Sequence, residues 1–226
     1  MEDFWNWLIE LNRFSGLAGC IYFVIFMKSW RSFSGVIFYI LFASFLADNL
    51  NYFFIRIVYP NALYIGNSWI ILNYLLSIFL FFKILAARNL LLKIYAGLFT
   101  VGTALSLTLV YDYAESNTFI NVYSNITLIS LSLLGYFELL KNPKVKLSKQ
   151  PIFWIVTSFF IYNSVLILVS VFNNYLIFDL KISSDAYAMV SIINLSANIL
   201  KNLLLFYSLV LIDKGFSPNL NPVEES

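Results

Sequence analysis

The sequence predicts an all-α integral membrane protein, a single bundle of seven transmembrane helices with its N-terminus outside and its C-terminus in the cytoplasm. Of the 226 residues, 61% are hydrophobic and only 12% are charged, whereas soluble domains carry about 25% charged residues. Apolar runs of about 20 residues recur along the chain, which is the length a helix needs to cross the hydrocarbon core of a bilayer. Composition and run length therefore agree on a polytopic membrane protein.

Seven apolar segments account for nearly the whole chain. Short polar joints separate them, and no stretch between them is long enough to form a soluble domain. The predicted spans are 8–27, 33–57, 63–85, 90–111, 119–140, 152–175 and 187–212. We assign residues 1–213 to one seven-helix transmembrane domain and residues 214–226 to a short cytoplasmic tail, which is too short and too polar to fold alone.

The orientation follows from the distribution of lysine and arginine, which are enriched in cytoplasmic joints. One side carries Lys28, Arg31, Lys83, Arg88, Lys93, Lys141, Lys144, Lys146, Lys149 and Lys214. The opposite side carries Arg13, Arg56 and Lys181, together with most of the acidic residues. The basic side is predicted to be cytoplasmic, in the inner membrane of a bacterial-type cell.

Lys201 is the most unusual residue because it lies deep inside the seventh apolar segment. A lysine at that depth costs about 2.5–3.5 kcal/mol on translocon-insertion scales. It shares one predicted helix face with Asn194, Asn198 and Asn202, at steps of three or four residues. Two interpretations stay open. Lys201 either snorkels or is capped by amides as a structural element, or it binds a ligand in a water-accessible cavity.

Asp48 is the plausible partner of Lys201, because it is the other ionisable residue deep in a span. The rise of a helix places Asp48 above the midplane and Lys201 below it. A direct contact would need a favourable tilt, and a water or an asparagine could equally bridge the two. Amide side chains lie at similar depths in several spans, and two interpretations stay open. They either join helices, at about 0.6 kcal/mol per interhelical hydrogen bond, or line a shared polar cavity, which their spread over several helices favours. We define the polar seam as Asp48, Asn51, Asn73, Asn163, Asn194, Asn198, Lys201 and Asn202.

Two local patterns predict contacts rather than chemistry. Glu10 and Arg13 are three residues apart, so they can pair on one helix face. Small residues recur every fourth position in the fourth span, and such a ladder lets another helix approach closely. The ladder consists of Ala96, Thr100, Ala104 and Thr108.

The sequence excludes several kinds of site. It contains no histidine and one cysteine, Cys20, so haem–His ligation, His-based metal sites and Ser-His-Asp catalysis are excluded. A lysine in a seventh span also invites comparison with the retinal-binding microbial rhodopsins. Those proteins carry an aspartate four residues before the lysine, where this chain has Ala197, and an acidic counterion in the third span, where this chain has Asn73 and Ser77. The pattern of a retinal site is therefore absent. We therefore expect no catalytic residues, no metal and no cofactor.

The chain resembles the seven-helix membrane modules that occur in bacteria, alone or fused ahead of histidine kinases. The resemblance rests on topology, length, aromatic content and the basic joint between the fifth and sixth spans. The resemblance implies a sensor or receptor-like protein. Since no output domain is present, a separate signalling protein would be the partner, and no nucleic acid is expected. Combined with the polar seam, this predicts a non-enzymatic protein that binds a small or lipidic ligand within the membrane. The alternatives are a lipid-modifying membrane enzyme, a transporter or channel subunit, and a structural subunit of a larger membrane complex.

Overall fold

The computed structural model describes residues 2–27, 33–57, 62–85, 89–109, 118–141, 146–174 and 184–216. Within these ranges the chain forms seven α-helices and one short 3₁₀ helix, and no strand. The helices are α1 (Glu2–Phe26), α2 (Phe33–Ile57), α3 (Ala62–Ile84), α4 (Asn89–Leu109), α5 (Thr118–Lys141), α6 (Pro151–Asn174) and α7 (Ser184–Asp213), and the 3₁₀ helix is Leu147–Lys149. The all-α prediction is confirmed.

Each helix coincides with one predicted apolar segment to within three residues at nearly every end. The exception is α1, which begins at Glu2 rather than at Leu8, because the helix continues beyond the apolar run that was used to define the span. Five helices, α1, α2, α5, α6 and α7, contain stretches long and apolar enough to cross a membrane. In α3 and α4 the side chains that the structure describes form the apolar stretches Ser68–Ile84 and Leu90–Thr103, which cover only part of each helix. By the length and composition of these helices, the molecule is a multi-pass membrane protein.

Six helices form a closed ring, and α4 lies outside it. Around the ring, α1 packs on α2, α2 on α3, α3 on α5, α5 on α6, α6 on α7 and α7 back on α1. α7 also contacts α2 across the interior, whereas α4 contacts α3 and α5. Since α3 and α5 pack directly on each other, α4 is peripheral. The position of α7 gives its polar face access to helices on both sides.

The interior of the ring is filled by aliphatic and aromatic side chains. Phe23, Leu41, Phe81, Phe159 and Leu205 are completely buried in one continuous core. Phe81 of α3 packs against Phe159 of α6 with ring centres 5.6 Å apart. In a bilayer these contacts stabilise the bundle through packing, because lipid tails are as apolar as the side chains that they replace.

Glycines permit the closest helix approaches. A Cβ added to Gly16 would lie 2.7 Å from the backbone oxygen of Leu41, so α1 and α2 are in contact through their backbones at this point. A Cβ added to Gly135 would lie 2.6 Å from Val156 Cγ1, on the α5–α6 interface. By contrast, a Cβ at Gly97 of α4 would meet no atom within 4 Å. The close approaches at Gly16 and Gly135 therefore lie within the ring, and Gly97 of α4 makes none.

The predicted packing face of the α4 ladder is seen at one of its two described positions. Ala96 is partly buried against the core, but Thr100 is exposed and its Oγ1 donates to the Ala96 carbonyl at 2.9 Å. The side chains of the other two members lie outside the described residues. α4 packs instead through Leu92 and Phe99, which are buried, because aromatic stacking against α3 determines which face turns inward.

Candidate functional site

The polar face of α7 reaches two different groups of residues, one on each side of the helix. Asn198 and Asn202 contact α1 and α2, whereas Asn194 contributes to a cavity that α3, α5 and α6 also line. Lys201 lies between Asn198 and Asn202 in sequence, but its Nζ is close to two aromatic rings of the cavity lining. The polar seam is therefore divided in space, although its members on α7 share a face.

The first group is a hydrogen-bonded cluster of three helices, which we call the α1–α2–α7 clamp. Asn198 Nδ2 donates to Asn12 Oδ1 at 2.9 Å and to Asp48 Oδ2 at 3.1 Å. Asn202 Nδ2 donates to Ser15 Oγ at 2.8 Å, with a longer contact of 3.4 Å to Ser44 Oγ. The clamp consists of Asn12, Ser15, Ser44, Asp48, Asn198 and Asn202. Each asparagine nitrogen joins α7 to both other helices at once, so the clamp is suited to stabilising the bundle.

Arg13 extends the polar contacts of α1 and α2 towards their outer ends. Its guanidinium forms a salt bridge with Glu10 at 2.7 Å, which confirms the predicted pairing. It also donates to Asn49 Oδ1 at 3.0 and 3.2 Å and lies 3.8 Å from the ring centre of Tyr52. Contacts with a carboxylate, an amide and an aromatic face together hold the Arg13 guanidinium in one position.

Lys201 is buried, as predicted, with 1% of its surface exposed. Its Nζ lies 4.3 Å from the ring centre of Tyr162 on α6 and 5.9 Å from that of Trp69 on α3. No described residue offers Nζ a hydrogen-bond acceptor. The direct contact with Asp48 is not made: the salt bridges among the described residues are Glu10–Arg13 and Glu138–Lys141. Asp48 is half-buried and bonded to Asn198, and its carboxylate attracts the Lys201 ammonium electrostatically without forming a salt bridge with it.

The second group lines a cavity of about 220 Å³ between α3, α5, α6 and α7, which we call the amide cavity. Its lining comprises Trp69, Ile70, Asn73, Tyr74, Asn121, Ser124, Asn125, Leu128, Tyr162, Leu166 and Asn194. Asn73 is only 8% exposed, and its Oδ1 has no hydrogen-bond partner among the described residues. Buried polar atoms are rarely left unpaired, because doing so costs about 1–3 kcal/mol. The wall of the amide cavity therefore contains an acceptor without a described partner, which a bound molecule reaches only when neighbouring side chains shift.

The ammonium of Lys201 is directed towards this cavity. Helical side chains tilt towards the N-terminus of their helix, so the Lys201 side chain extends in the direction of Asn194. The two rings nearest to Nζ, those of Tyr162 and Trp69, both belong to the cavity lining. Lys201 Nζ, which has no described hydrogen-bond acceptor, therefore lies beside two residues of the cavity wall, although Lys201 is not itself part of that wall.

The remaining amides of the polar seam lie elsewhere or outside the description. Asn163 is buried, its Nδ2 donates to the Phe159 carbonyl at 2.6 Å and its Oδ1 has no described partner, but it does not line the amide cavity. The side chain of Asn51 lies outside the described residues. Asn121 and Asn125 are bonded to each other at 2.9 Å, and Asn121 also donates to Ser170 Oγ at 3.2 Å, which positions both in the cavity wall.

Sequence reasoning missed the contribution of α1 and of the aromatic residues at Lys201. Asn12 and Ser15 are both buried, and Gly19 follows at the same helical spacing. That stripe of small and polar residues could have predicted a face packed against other helices. Trp69 and Tyr162 carried no comparable signal, since aromatic residues occur throughout the chain.

Comparison with protein-family models, with curated proteins and with solved structures finds no match.

Proposed function

We propose that the protein is a non-enzymatic integral membrane sensor or receptor-like protein that binds a small or lipidic ligand in the amide cavity. The observation that carries the proposal is an amide-lined cavity with Lys201 Nζ, which has no described hydrogen-bond acceptor, beside Tyr162 and Trp69 of its wall. Polar groups that converge on a largely preformed pocket are typical of ligand sites. A ligand with one donor and one acceptor would satisfy both Asn73 Oδ1 and Lys201 Nζ.

The dimensions of the cavity limit what can enter it. At about 220 Å³ it is smaller than the about 300–1,000 Å³ of pockets that enclose drug-sized molecules. It therefore suits a small metabolite, or the polar head of a larger molecule whose remainder lies elsewhere.

The setting of the function is proposed from the charge distribution and from the resemblance to seven-helix bacterial modules. We place all seven helices across a bacterial inner membrane, with the N-terminus outside and the basic joints in the cytoplasm. Ligand occupancy would alter the packing of α3, α5 and α6 around the cavity, and a separate signalling protein on the cytoplasmic side would detect that change.

The orientation is testable by cysteine labelling of intact cells. After replacement of Cys20, a cysteine at position 146 should be protected from an impermeant maleimide, and a cysteine at position 115 should react. The reason is the excess of lysine and arginine on the side of residue 146. Labelling at 146 with protection at 115 would reverse the topology. A cysteine at each position should react fully once the cells are permeabilised, which serves as the control.

Binding in the cavity is testable with a variant that fills it. Asn194→Phe places a large ring in the amide cavity, so the amount of any small molecule that copurifies with the protein should fall roughly tenfold or more. Molecules retained by parent and variant would be extracted and quantified by mass spectrometry. Leu203→Phe is the matched control, because Leu203 lies on the exposed side of the same helix and should leave retention unchanged. If parent, Asn194→Phe and Leu203→Phe retained the same molecules in equal amounts, the proposal would be wrong.

A further inference from the structure

An apolar groove lies between α2 and α3 on the outside of the ring. It has a volume of about 550 Å³ and is lined by Tyr39, Phe42, Ala43, Leu46, Ala47, Leu50, Ser68, Trp69, Leu72 and Leu76. Along α2 it extends from Tyr39 to Leu50, which is about 16 Å at the rise of an α-helix. Ala43 and Ala47 form its narrow floor, so a slender apolar chain can lie between the larger side chains on either side.

Trp69 connects this groove to the amide cavity. It is the one residue that belongs to both linings, and its ring centre lies 5.9 Å from Lys201 Nζ. The indole thus separates the groove, which opens on the surface of the bundle, from the buried ammonium. Trp69 is therefore the described side chain that links the groove to the surroundings of Lys201 Nζ.

From these contacts we infer that the ligand is a single-chain amphiphile with a carboxylate or phosphate monoester head, whose chain lies in the α2–α3 groove and whose head accepts hydrogen bonds from Lys201 Nζ. This inference rests on the proposed function and specifies its ligand. It assigns Trp69 as the residue past which the head enters from the membrane.

The charge of Lys201 selects an anionic head. Nζ carries three donors and has no described hydrogen-bond acceptor. The Asp48 carboxylate attracts the ammonium electrostatically but is bonded to Asn198 and leaves all three donors of Nζ unused. A carboxylate or phosphate oxygen would supply a charge-assisted bond in a region where an unpaired ammonium is costly. A neutral ester of the same chain would fill the groove equally well but would bring no charge to Lys201.

The shape of the two spaces selects a single chain. The amide cavity can hold a head but not a long tail, whereas the groove offers an apolar channel of suitable length. Lipid tails provide no net hydrophobic gain on entering a groove from a bilayer. Specificity must therefore come from the head at Lys201, and the groove determines which chains can bring a head to it.

The test uses the full chain in nanodiscs of uncharged phosphatidylcholine and a photoreactive palmitic acid with a diazirine in its chain. Labelling should map to α2 and α3 and should be displaced by palmitate or hexadecyl phosphate, and the better competitor identifies the head. Palmitic acid methyl ester should compete about 10- to 100-fold less well, since it lacks the charge-assisted bond. Lys201→Met and Ala43→Phe should each reduce labelling at least tenfold, whereas Leu90→Phe, at a position 74% exposed on α4, should label as the parent does.

Lys201→Met removes the buried ammonium but also its attraction to Asp48, so thermal unfolding establishes whether the variant is folded before its labelling is compared. The competition between acid and ester uses the parent protein, so it remains decisive if a variant is unstable. Equal competition by the ester, or parent-like labelling of Ala43→Phe, would overturn the inference. Displacement by hexanoate as effective as by palmitate would refute the role of the groove while leaving binding in the amide cavity intact. The cavity-filling variant Asn194→Phe tests that binding separately.

Discussion

Replacing Asn198 with leucine should destabilise the protein by about 1.5–3 kcal/mol. The Asn198 amide donates to Asn12 and to the carboxylate of Asp48, so one substitution removes links from α7 to both α1 and α2. Interhelical hydrogen bonds in membranes average only about 0.6 kcal/mol. The larger value applies here because one of the two acceptors is a carboxylate, and bonds to charged groups contribute roughly 1.5–3 kcal/mol. Denaturation by sodium dodecyl sulfate in mixed micelles would measure the change.

Asn194→Leu is the matched control for this prediction. It makes the same chemical change one turn earlier on the same helix, at a residue that lines the amide cavity rather than the clamp, so the stability should change little. In an Asp48→Leu background, Asn198→Leu should cost less than it does alone, since one of its acceptors is already absent. Equal losses of stability for Asn194→Leu and Asn198→Leu would show that the clamp does not stabilise the bundle in the manner described.

Gly16→Ala should lower stability by about 1–3 kcal/mol, although alanine is the better helix former. The added methyl group would lie 2.7 Å from the Leu41 carbonyl oxygen, and because that atom is backbone, α1 and α2 must move apart. The intrinsic helix preference of alanine offsets at most about 1 kcal/mol. Thermal unfolding in detergent would follow the change.

Gly97→Ala isolates the steric contribution, because its new methyl group meets no atom within 4 Å. This variant should be as stable as the parent or slightly more stable. If Gly16→Ala were also neutral, the backbone contact between α1 and α2 would contribute nothing to the bundle.

The positions of the helices and the burial of Lys201 could be predicted from sequence, because both follow from local hydrophobicity and from the cost of placing a charge in hydrocarbon. The partners of Lys201 could not. Whether α7 turns Lys201 towards Asp48 or towards Tyr162 depends on which helices are its neighbours. The sequence of one helix does not show which other helices pack beside it. The same limit explains why Thr100 is exposed. Its four-residue spacing fits a packing face, but α4 lies outside the ring and this position faces away from it.

The division of the polar seam was also beyond sequence reasoning. Asn194 and Asn198 are one turn apart, have the same side chain and lie on the same helix, yet one lines a cavity and the other bonds to Asn12 and Asp48. A neutral amide reports only that a polar group is buried. Its role is decided by whether the adjacent helix supplies a partner.

The closure of the ring by α7 against α1 has a consequence for biosynthesis. Asn12, Ser15 and Ser44 enter the membrane with the first two helices, but the amides that donate to them belong to Asn198 and Asn202, near the end of the chain. A nascent chain that has not yet delivered α7 holds these groups without those donors, in a solvent that offers none. The polar groups of α1 and α2 therefore gain their α7 donors only when the last helix has been synthesised. A product truncated before α7 would expose these polar groups on its membrane-embedded surface, which distinguishes it from the finished protein.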